Sequence, residues 1–319
     1  MPQETREASK AAGAVPIILD TDIGPDCDDA GALAVLHGLA KRGEARIVGV
    51  MHCTSSPWGA GCIDAINAYY GRPDIPVGSL PEEEGFLREE RYEKYNRFVA
   101  QQFSNRFRAA AEDGSFGTPV PRASDLYRRL LAAEEDQSVV VAAIGPLINL
   151  MHLLRTTADE ISPLSGAELV RRKVSRLVVM GGAYPSGQEW NFEMHPESAA
   201  WVAEHWPTPI LFCGYEAGVN VLTGSRLFTD APEDHPVRKA YELYLSGGTV
   251  RSSWDPLTVL AAVRGESAAG VRRPGRVVVD PSGGNSWDDA PETGQPHGYL
   301  EVNVPNARLV QVLDLLMCD

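Results

Sequence analysis

The sequence predicts a three-layer α/β fold: an open, Rossmann-like, mostly parallel central sheet with helices on both faces. Three observations carry this. Short β-branched apolar runs recur along the chain, most of them end at a glycine or an acidic turn, and helix-periodic segments lie between them. Strands that alternate with helices in this way form parallel sheets by right-handed crossovers.

Taken in order, "VPIIL" (15–19) is apolar on both alternating faces, as a strand covered on both sides must be. "AGALAVLHGLA" (30–40) then has helical apolar spacing. "RIVGVM" (46–51) is a second strand, followed by a helix through "CIDAINAYYG" that stops at Gly71. "SVVVAAIG" (138–145), "RLVVMGG" (176–182) and "PILFCG" (209–214) repeat the unit of apolar run and glycine. Residues 80–115 are charged and helix-prone, and are expected to form a surface insertion or helical lid. Residues 281–298, "PSGGNSWDDAPETGQPHG", are rich in turn formers and are expected to be a long loop. Residues 1–14 read as a flexible leader, and 15–319 as a single domain without internal repeats.

Composition narrows the function. Of 319 residues, 44% are apolar and 23% charged, as in an ordinary globular protein, but the net charge is −14. An acidic balance of that size argues against a nucleic-acid or anionic-membrane partner, which needs a basic face. No secretory apolar segment or membrane-length apolar run occurs. The five cysteines are odd in number and lack zinc-type spacing, so they read as reduced thiols of a cytoplasmic enzyme.

"ILDTDIGPDCDDAGAL" (18–33) crowds five aspartates, Asp20 to Asp29, at the carboxyl end of the first strand. Open α/β sheets place their sites there. Carboxylates forced together either share protons or bind a cation, and a set of hard oxygen ligands suits Ca²⁺ or Mg²⁺. An EF-hand loop starting at Asp20 would need glycine at its sixth position and glutamate at its twelfth, where Pro25 and Gly31 stand. The haloacid-dehalogenase phosphatases also begin with Asp-x-Asp. They require threonine or valine where Gly24 stands, and an acidic pair much farther downstream.

The pattern Asp20, Asp22, Gly24, Asp28, Asp29, Ala30 resembles the signature of the inosine-uridine-type nucleoside hydrolases, in a form two residues longer than the shortest. Three further segments resemble that family in the same order: "IGPLINL" (144–150), "VVMGGAYPSGQEWNF" (178–192) and "SSWDPLTVL" (252–260). The resemblance runs from about residue 15 to residue 265. It implies Ca²⁺-dependent hydrolysis of the N-glycosidic bond of a ribonucleoside or related N-riboside, giving ribose and free base. Asp22, Asp29, Asp255 and the backbone carbonyl of Ile148 would be the metal ligands. Asp22 would be the catalytic base for the attacking water, and Asp28, Glu189, Trp190 and Asn191 would hold the sugar. It also implies a homo-oligomer, dimer or tetramer, acting on a small molecule.

The match has departures. Many family members carry an acid histidine immediately before the last aspartate; this chain has Trp254, which cannot give a proton to a leaving base but can stack on one. Two family asparagines have no evident counterpart. The sugar half is thus retained and the base half altered, which keeps a second function open: a non-catalytic, metal-dependent binder of ribosyl ligands. Plainer readings stand beside these assignments. Asp20 is expected to be a structural acceptor, Asp26 either supports the loop or faces solvent, and Asp255 before Pro256 would also suit a helix N-cap. His37 and His205 read as ordinary helix residues; His52, His195 and His297 lie near strand ends or loops, where any one could replace the missing acid, but for each an ordinary structural role is the better supported reading. Trp58 and Trp287 either line a base pocket or pack at the surface.

Overall fold

The computed structural model describes residues 13–107, 119–291 and 297–319. Its strands are β1 (Val15–Thr21), β2 (Ala45–His52), β3 (Val77–Ser79), β4 (Val139–Ala143), β5 (Val174–Met180), β6 (Ser186–Gly187), β7 (Ile210–Cys213), β8 (Leu222–Thr223), β9 (Arg251–Ser252), β10 (Gly270–Val279), β11 (Asn285–Asp288) and β12 (His297–Val302). The helices of the first half are α1 (Asp28–Lys41), α2 (Gly59–Tyr69), α3 (Asn96–Gln102), α4 (Ala123–Ala133), α5 (Ile148–Arg155) and α6 (Gly166–Lys173). Those of the second half are α7 (Trp190–Met194), α8 (Pro196–His205), α9 (Tyr215–Gly218), α10 (Ser225–Thr229), α11 (Pro236–Leu245), α12 (Trp254–Arg264) and α13 (Asn306–Met317).

Ten strands form one sheet in the order β3-β2-β1-β4-β5-β7-β12-β10-β11-β6, and β8 and β9 pair separately. Pairing is parallel from β3 through β12 and antiparallel from β12 to β6. The strand order reverses between β1 and β4, and this switch point opens a crevice at their carboxyl ends.

The period-2 alternation of each strand builds two cores. Ile17 and Leu19 of β1, Val140 and Ala142 of β4, Val178 of β5 and Leu211 of β7 face α1, α2, α12 and α13. Their neighbours Ile18, Val141, Val179 and Phe212 face α4, α5, α6 and α8. Strands covered on both sides must be apolar throughout, which is why these runs show no polar alternation.

Two sequence expectations are corrected. Residues 281–298 are not one loop: Asn285–Asp288 forms β11 against β10 and β6, and β12 begins at His297. The turn before β11 is closed by Asp280, whose carboxylate accepts from the Ser282 and Gly284 amides; residues 292–296 lie outside the described set. A four-residue strand between turn formers leaves almost no periodic signal. Residues 80–107 are mostly not helical either, holding two single 3₁₀ turns (Glu82–Glu84 and Glu90–Tyr92) and the short α3. Tertiary hydrogen bonds override helix propensity here: Ser55 donates through its hydroxyl to the Pro81 carbonyl and exchanges backbone and side-chain bonds with Phe86. Residues 108–115 of that expected insertion, and residues 1–12 of the leader, lie outside the described residues.

Helix α1 is buried on all sides from Asp28 to Leu39. That burial requires small residues where neighbours cross. A Cβ at Gly38 would lie 2.4 Å from the backbone oxygen of Leu316 in α13. Alanine normally stabilises a helix interior by about 1 kcal/mol over glycine. Here the clash is with backbone, which cannot swing aside, so we expect Gly38→Ala to destabilise the protein by about 1–3 kcal/mol. Urea unfolding checks this; a midpoint at or above wild type would mean that α1 and α13 are not packed as described.

Candidate active site

The crevice is built by three chain segments. β1 delivers Asp20 and Thr21 at its end, and the loop that follows turns back into α1, whose first two residues are Asp28 and Asp29. Gly24 adopts φ +150° inside this loop, and a Cβ there would lie 2.5 Å from the Asn96 amide and 3.0 Å from the Tyr92 carbonyl. After β4, Gly145 passes so close that a Cβ would lie 2.7 Å from Asp22 Oδ1 and 2.8 Å from Cys53 Sγ. The third segment is the start of α12, which brings Asp255 from the far end of the sequence.

Asp28, Asp29 and Asp255 offer carboxylate oxygens within 4.8 Å of one another, and all three are buried. The Asp255 amide donates to Asp28 Oδ2 at 3.2 Å, and the Thr21 hydroxyl donates to Asp29. The acids therefore sit in the first turns of α1 and α12, where unpaired amides and the helix dipoles favour negative charge. Burial still dominates. It raises the pKa values of Asp28, Asp29 and Asp255 well above the usual carboxylate range, and the neighbouring carboxylates add to this. Asp22 is also buried and is pushed up to about 7, chiefly by desolvation. Asp255 is not the N-cap, a place that Ser253 takes; it stands inside the first turn.

Asp20 is a structural acceptor: it receives Tyr127 Oη at 2.8 Å and the Asn149 amide at 3.2 and 3.3 Å. Burial raises its pKa to about 7. Asp26 is bound on one carboxylate by Arg251 Nε, at 3.0 Å to each oxygen, and by Arg251 Nη2.

A cavity of about 570 Å³ opens over this cluster. Asp22, Asp28, Asp29, Asp255, Glu189, Trp190, Asn191 and Trp254, all expected from the sequence, line it. Ile148 does not; it is the first residue of α5, its side chain lies in the core, and Ile144 lines the cavity instead. Glu189 caps α7, accepting the amides of Asn191 at 2.9 Å, Gly182 at 3.0 Å and Phe192 at 3.3 Å. Burial raises its pKa to about 7. The Asn191 amide donates to the Met180 carbonyl at 3.2 Å. The Trp254 indole donates to the Tyr215 carbonyl at 2.7 Å.

Sequence reasoning missed Arg91, Tyr92, Lys94, Tyr215, Tyr244 and Arg251, which also line the cavity. Arg251 had one available signal, an aspartate (Asp26) additional to the signature and in need of a counter-charge. No histidine is among the lining residues. His52 bonds Thr54 and Ser79, His195 caps α8, His297 accepts the Val277 amide, and His37 stacks on Tyr70. Trp58 lies under Arg97, and Trp287 packs edge-on against Tyr184 and Tyr299, so neither reaches the cavity. All five cysteines are free, and no described helix is long and apolar enough to cross a membrane.

The donor set can therefore do one thing well. It offers several buried, all-oxygen, negatively charged ligands at one point, which fits a hard divalent cation better than a proton network.

Comparison with known proteins agrees with this geometry. The family model for inosine-uridine preferring nucleoside hydrolases matches residues 17–314. Among solved structures, the type III effector protein XopQ complexed with adenosine diphosphate ribose is 16% identical at a TM-score of 0.70, with 96% of this chain and 94% of that one covered. The inosine-uridine preferring nucleoside hydrolase from Bacillus anthracis is 19% identical at 0.68, over 95% and 99% of the chains. An inosine-guanosine nucleoside hydrolase is 20% identical at 0.67, over 95% and 98%. A search of curated protein sequences finds no match. These likenesses carry the fold, and the family match carries membership: the chain belongs to the inosine-uridine preferring nucleoside hydrolase family.

The raised carboxylate pKa values have a signed consequence. A carboxyl whose folded pKa exceeds its unfolded value stabilises the fold fully below the unfolded value and loses that contribution as pH rises through the folded one. For Asp22 the window runs from about 3.8 to about 7. In metal-free protein, Asp22→Asn should therefore gain stability relative to wild type as pH goes from 5 to 8, by on the order of a few kcal/mol at most. Paired thermal melts in chelator measure the difference; a gap that stays constant with pH would contradict the burial of a charged Asp22.

Proposed function

We propose that this chain hydrolyses the N-glycosidic bond of a ribonucleoside or a related N-riboside, with Ca²⁺ as its metal, and that it belongs to the cytoplasmic, homo-oligomeric enzymes of its family. One observation supports this above the rest: Asp28, Asp29 and Asp255, from opposite ends of the chain, meet as buried carboxylates in the wall of a ligand-sized cavity. Asp22, Asp29 and Asp255 would hold the cation, with the main-chain oxygen of Ile148 as the remaining protein ligand by family analogy. When bound, the cation supplies Lewis-acid activation of water and a fixed anchor for sugar hydroxyls.

The protein's own groups do the rest. Asp22, at the strand end beside the cluster, takes the proton of the attacking water. Asp28, fixed by the Asp255 amide, grips a ribose hydroxyl. Glu189 and Asn191, immobilised by α7 and Met180, form the opposite wall for the sugar, with Trp190 beside them. The crevice walls exclude bulk water from the anomeric carbon as an oxocarbenium-like charge develops there.

Trp254 supports a second reading, a non-catalytic binder of ribosyl ligands, and the ADP-ribose in the XopQ complex is in line with such a ligand class. Turnover separates the two. We expect release of free ribose from a panel of nucleosides, reduced about 10²–10⁴-fold by Asp22→Ala. Calorimetric binding of ribose or a nucleoside without product over many hours would favour the binder.

The metal is tested apart from activity. Free Ca²⁺ should raise the melting temperature with the logarithm of its concentration above the dissociation constant, chelator should reverse this, and Asp29→Ala should abolish it. Metal analysis finding no divalent ion per chain, with melting indifferent to Ca²⁺ and chelator, would overturn the metal assignment.

A further inference from the structure

We infer that Arg251 meets the departing base and stabilises the negative charge that develops on it, in the place that an acid side chain would otherwise fill. This rests on the hydrolase reading above. The cavity has two chemically distinct halves. Its sugar side is carboxylate-rich, whereas the side formed by β9, α9 and the starts and ends of α12 and α11 presents Tyr215, Tyr244, Trp254 and Arg251.

On that second side the proton donors are few. No histidine lines the cavity. The Trp254 N–H is spent on the Tyr215 carbonyl. Burial pushes the Tyr244 hydroxyl up to about 12, out of the range of a useful acid. Arg91 and Lys94 are exposed at the mouth. Arg251 is different: its side chain is 30% exposed, and its orientation is fixed from both sides. Asp26 binds the Nε and Nη2 edge, and the guanidinium carbon lies 4.9 Å from the Trp254 ring centroid and 5.4 Å from that of Tyr244. Nη1 has no hydrogen-bond partner among the described residues and remains to donate. Burial is the largest single influence and opposes the charge, but the Asp26 hydrogen bond and the negative charge of Asp26, with smaller contributions from Tyr244 and Asp28, together outweigh it and hold the guanidinium protonated. A flat base entering beside these rings would meet a fixed cation edge-on.

A guanidinium does not give up its proton, so it acts by charge and hydrogen bonding. As the C1′–N bond breaks, its electron pair moves onto the base and delocalises to a ring carbonyl oxygen, which Arg251 stabilises. The water oxygen forms the new bond to C1′, and its proton passes to Asp22. The base takes its own proton from solvent after departure. The leaving groups that gain most are therefore those with a carbonyl acceptor, such as hypoxanthine or uracil.

The experiment compares inosine with 4-nitrophenyl β-D-ribofuranoside, whose leaving group needs no such help, in Ca²⁺-loaded wild type, Arg251→Ala, Arg251→Lys and Asp26→Asn. Arg251→Ala should lower kcat/KM for inosine about 10²-fold, chiefly in kcat, and for the nitrophenyl riboside several-fold at most. Arg251→Lys should recover part of the inosine loss. If Arg251→Ala does not fold, the Lys variant carries the comparison, with a smaller but still unequal loss. Asp26→Asn keeps the cation, so it should depress inosine less than Arg251→Ala does. Equal losses on both substrates, or no loss on inosine, would overturn the role and leave Arg251 as a brace for the aspartate loop. Wild type that cleaves the nitrophenyl riboside but not inosine would refute the Arg251 role alone. Wild type that cleaves neither would remove the hydrolase reading and this inference with it.

Discussion

The constraint on which the rest depends is the burial of four carboxylates together. Asp22, Asp28, Asp29 and Asp255 are each no more than 5% exposed. In a partly dehydrated pocket, each close pair repels by on the order of a few kcal/mol. The fold tolerates this because the starts of two long helices converge there. Both α1 and α12 begin at the cluster and pack along each other, and the Asp255 amide of one donates to the Asp28 carboxylate of the other. Free amides and aligned dipoles offset part of the charge. What they leave over is repulsion that a bound cation would relieve.

That convergence sets demands on the surrounding sequence. α1 can reach the crevice while fully buried only if its flanks are small, and Gly31, Ala32, Ala34 and Gly38 provide this. The reversal of strand order between β1 and β4 opens the crevice, and Gly145 lets the β4 turn close against Asp22 without a side chain between them. Arg251 adds a third tie. Its bridge to Asp26 joins residues 225 positions apart and holds the aspartate loop against the segment that leads into α12. Sheet, helix starts and loop are therefore one mechanical unit around the acids.

How much of this was legible in the sequence follows from the range of each interaction. The six parallel strands from β3 to β7 have local signatures, because two-sided burial forces continuous apolar runs, and all but the three-residue β3 could be read directly. The aspartate loop was legible as a site because five like charges within ten residues repel unless something local offsets them, although Asp20 and Asp26 turn out to be held by Tyr127, Asn149 and Arg251. Asp255 was legible only through the resemblance, since its own dipeptide also suits a helix start. The short antiparallel strand β11 was not legible, because its pairing with β10 and β6 is nonlocal. Residues 80–107 misled because their charged composition favours helix, while tertiary bonds such as those of Ser55 to Pro81 and Phe86 break them into short turns and the one short helix α3. The cavity residues Tyr92, Tyr215 and Tyr244 stand on three separate segments with no common spacing, and only the fold brings them together.

The two halves of the cavity differ in what holds them, and this bears on how such a site changes. The carboxylate side is fixed by helix starts, strand ends and backbone amides, so that displacing one group disturbs the packing of α1 against α12. The aromatic side draws on the four-residue α9 and the two-residue β9 with the exposed stretch 246–250 that leads into it, and on the end of α11 and the start of α12, which carry Tyr244 and Trp254. Of the two short elements, α9 gives the core Ala217 and β9 gives it nothing, while Trp254 and Tyr244 pack against that core only partly buried. Substitution at Tyr215 or Tyr244 therefore alters what the cavity can recognise at less expense to the fold than substitution at the acids or at the Arg251 bridge. Among the residues lining that side there is no histidine, and Arg251, Trp254 and Tyr244 stand there, while the buried acids lie at the starts of α1 and α12.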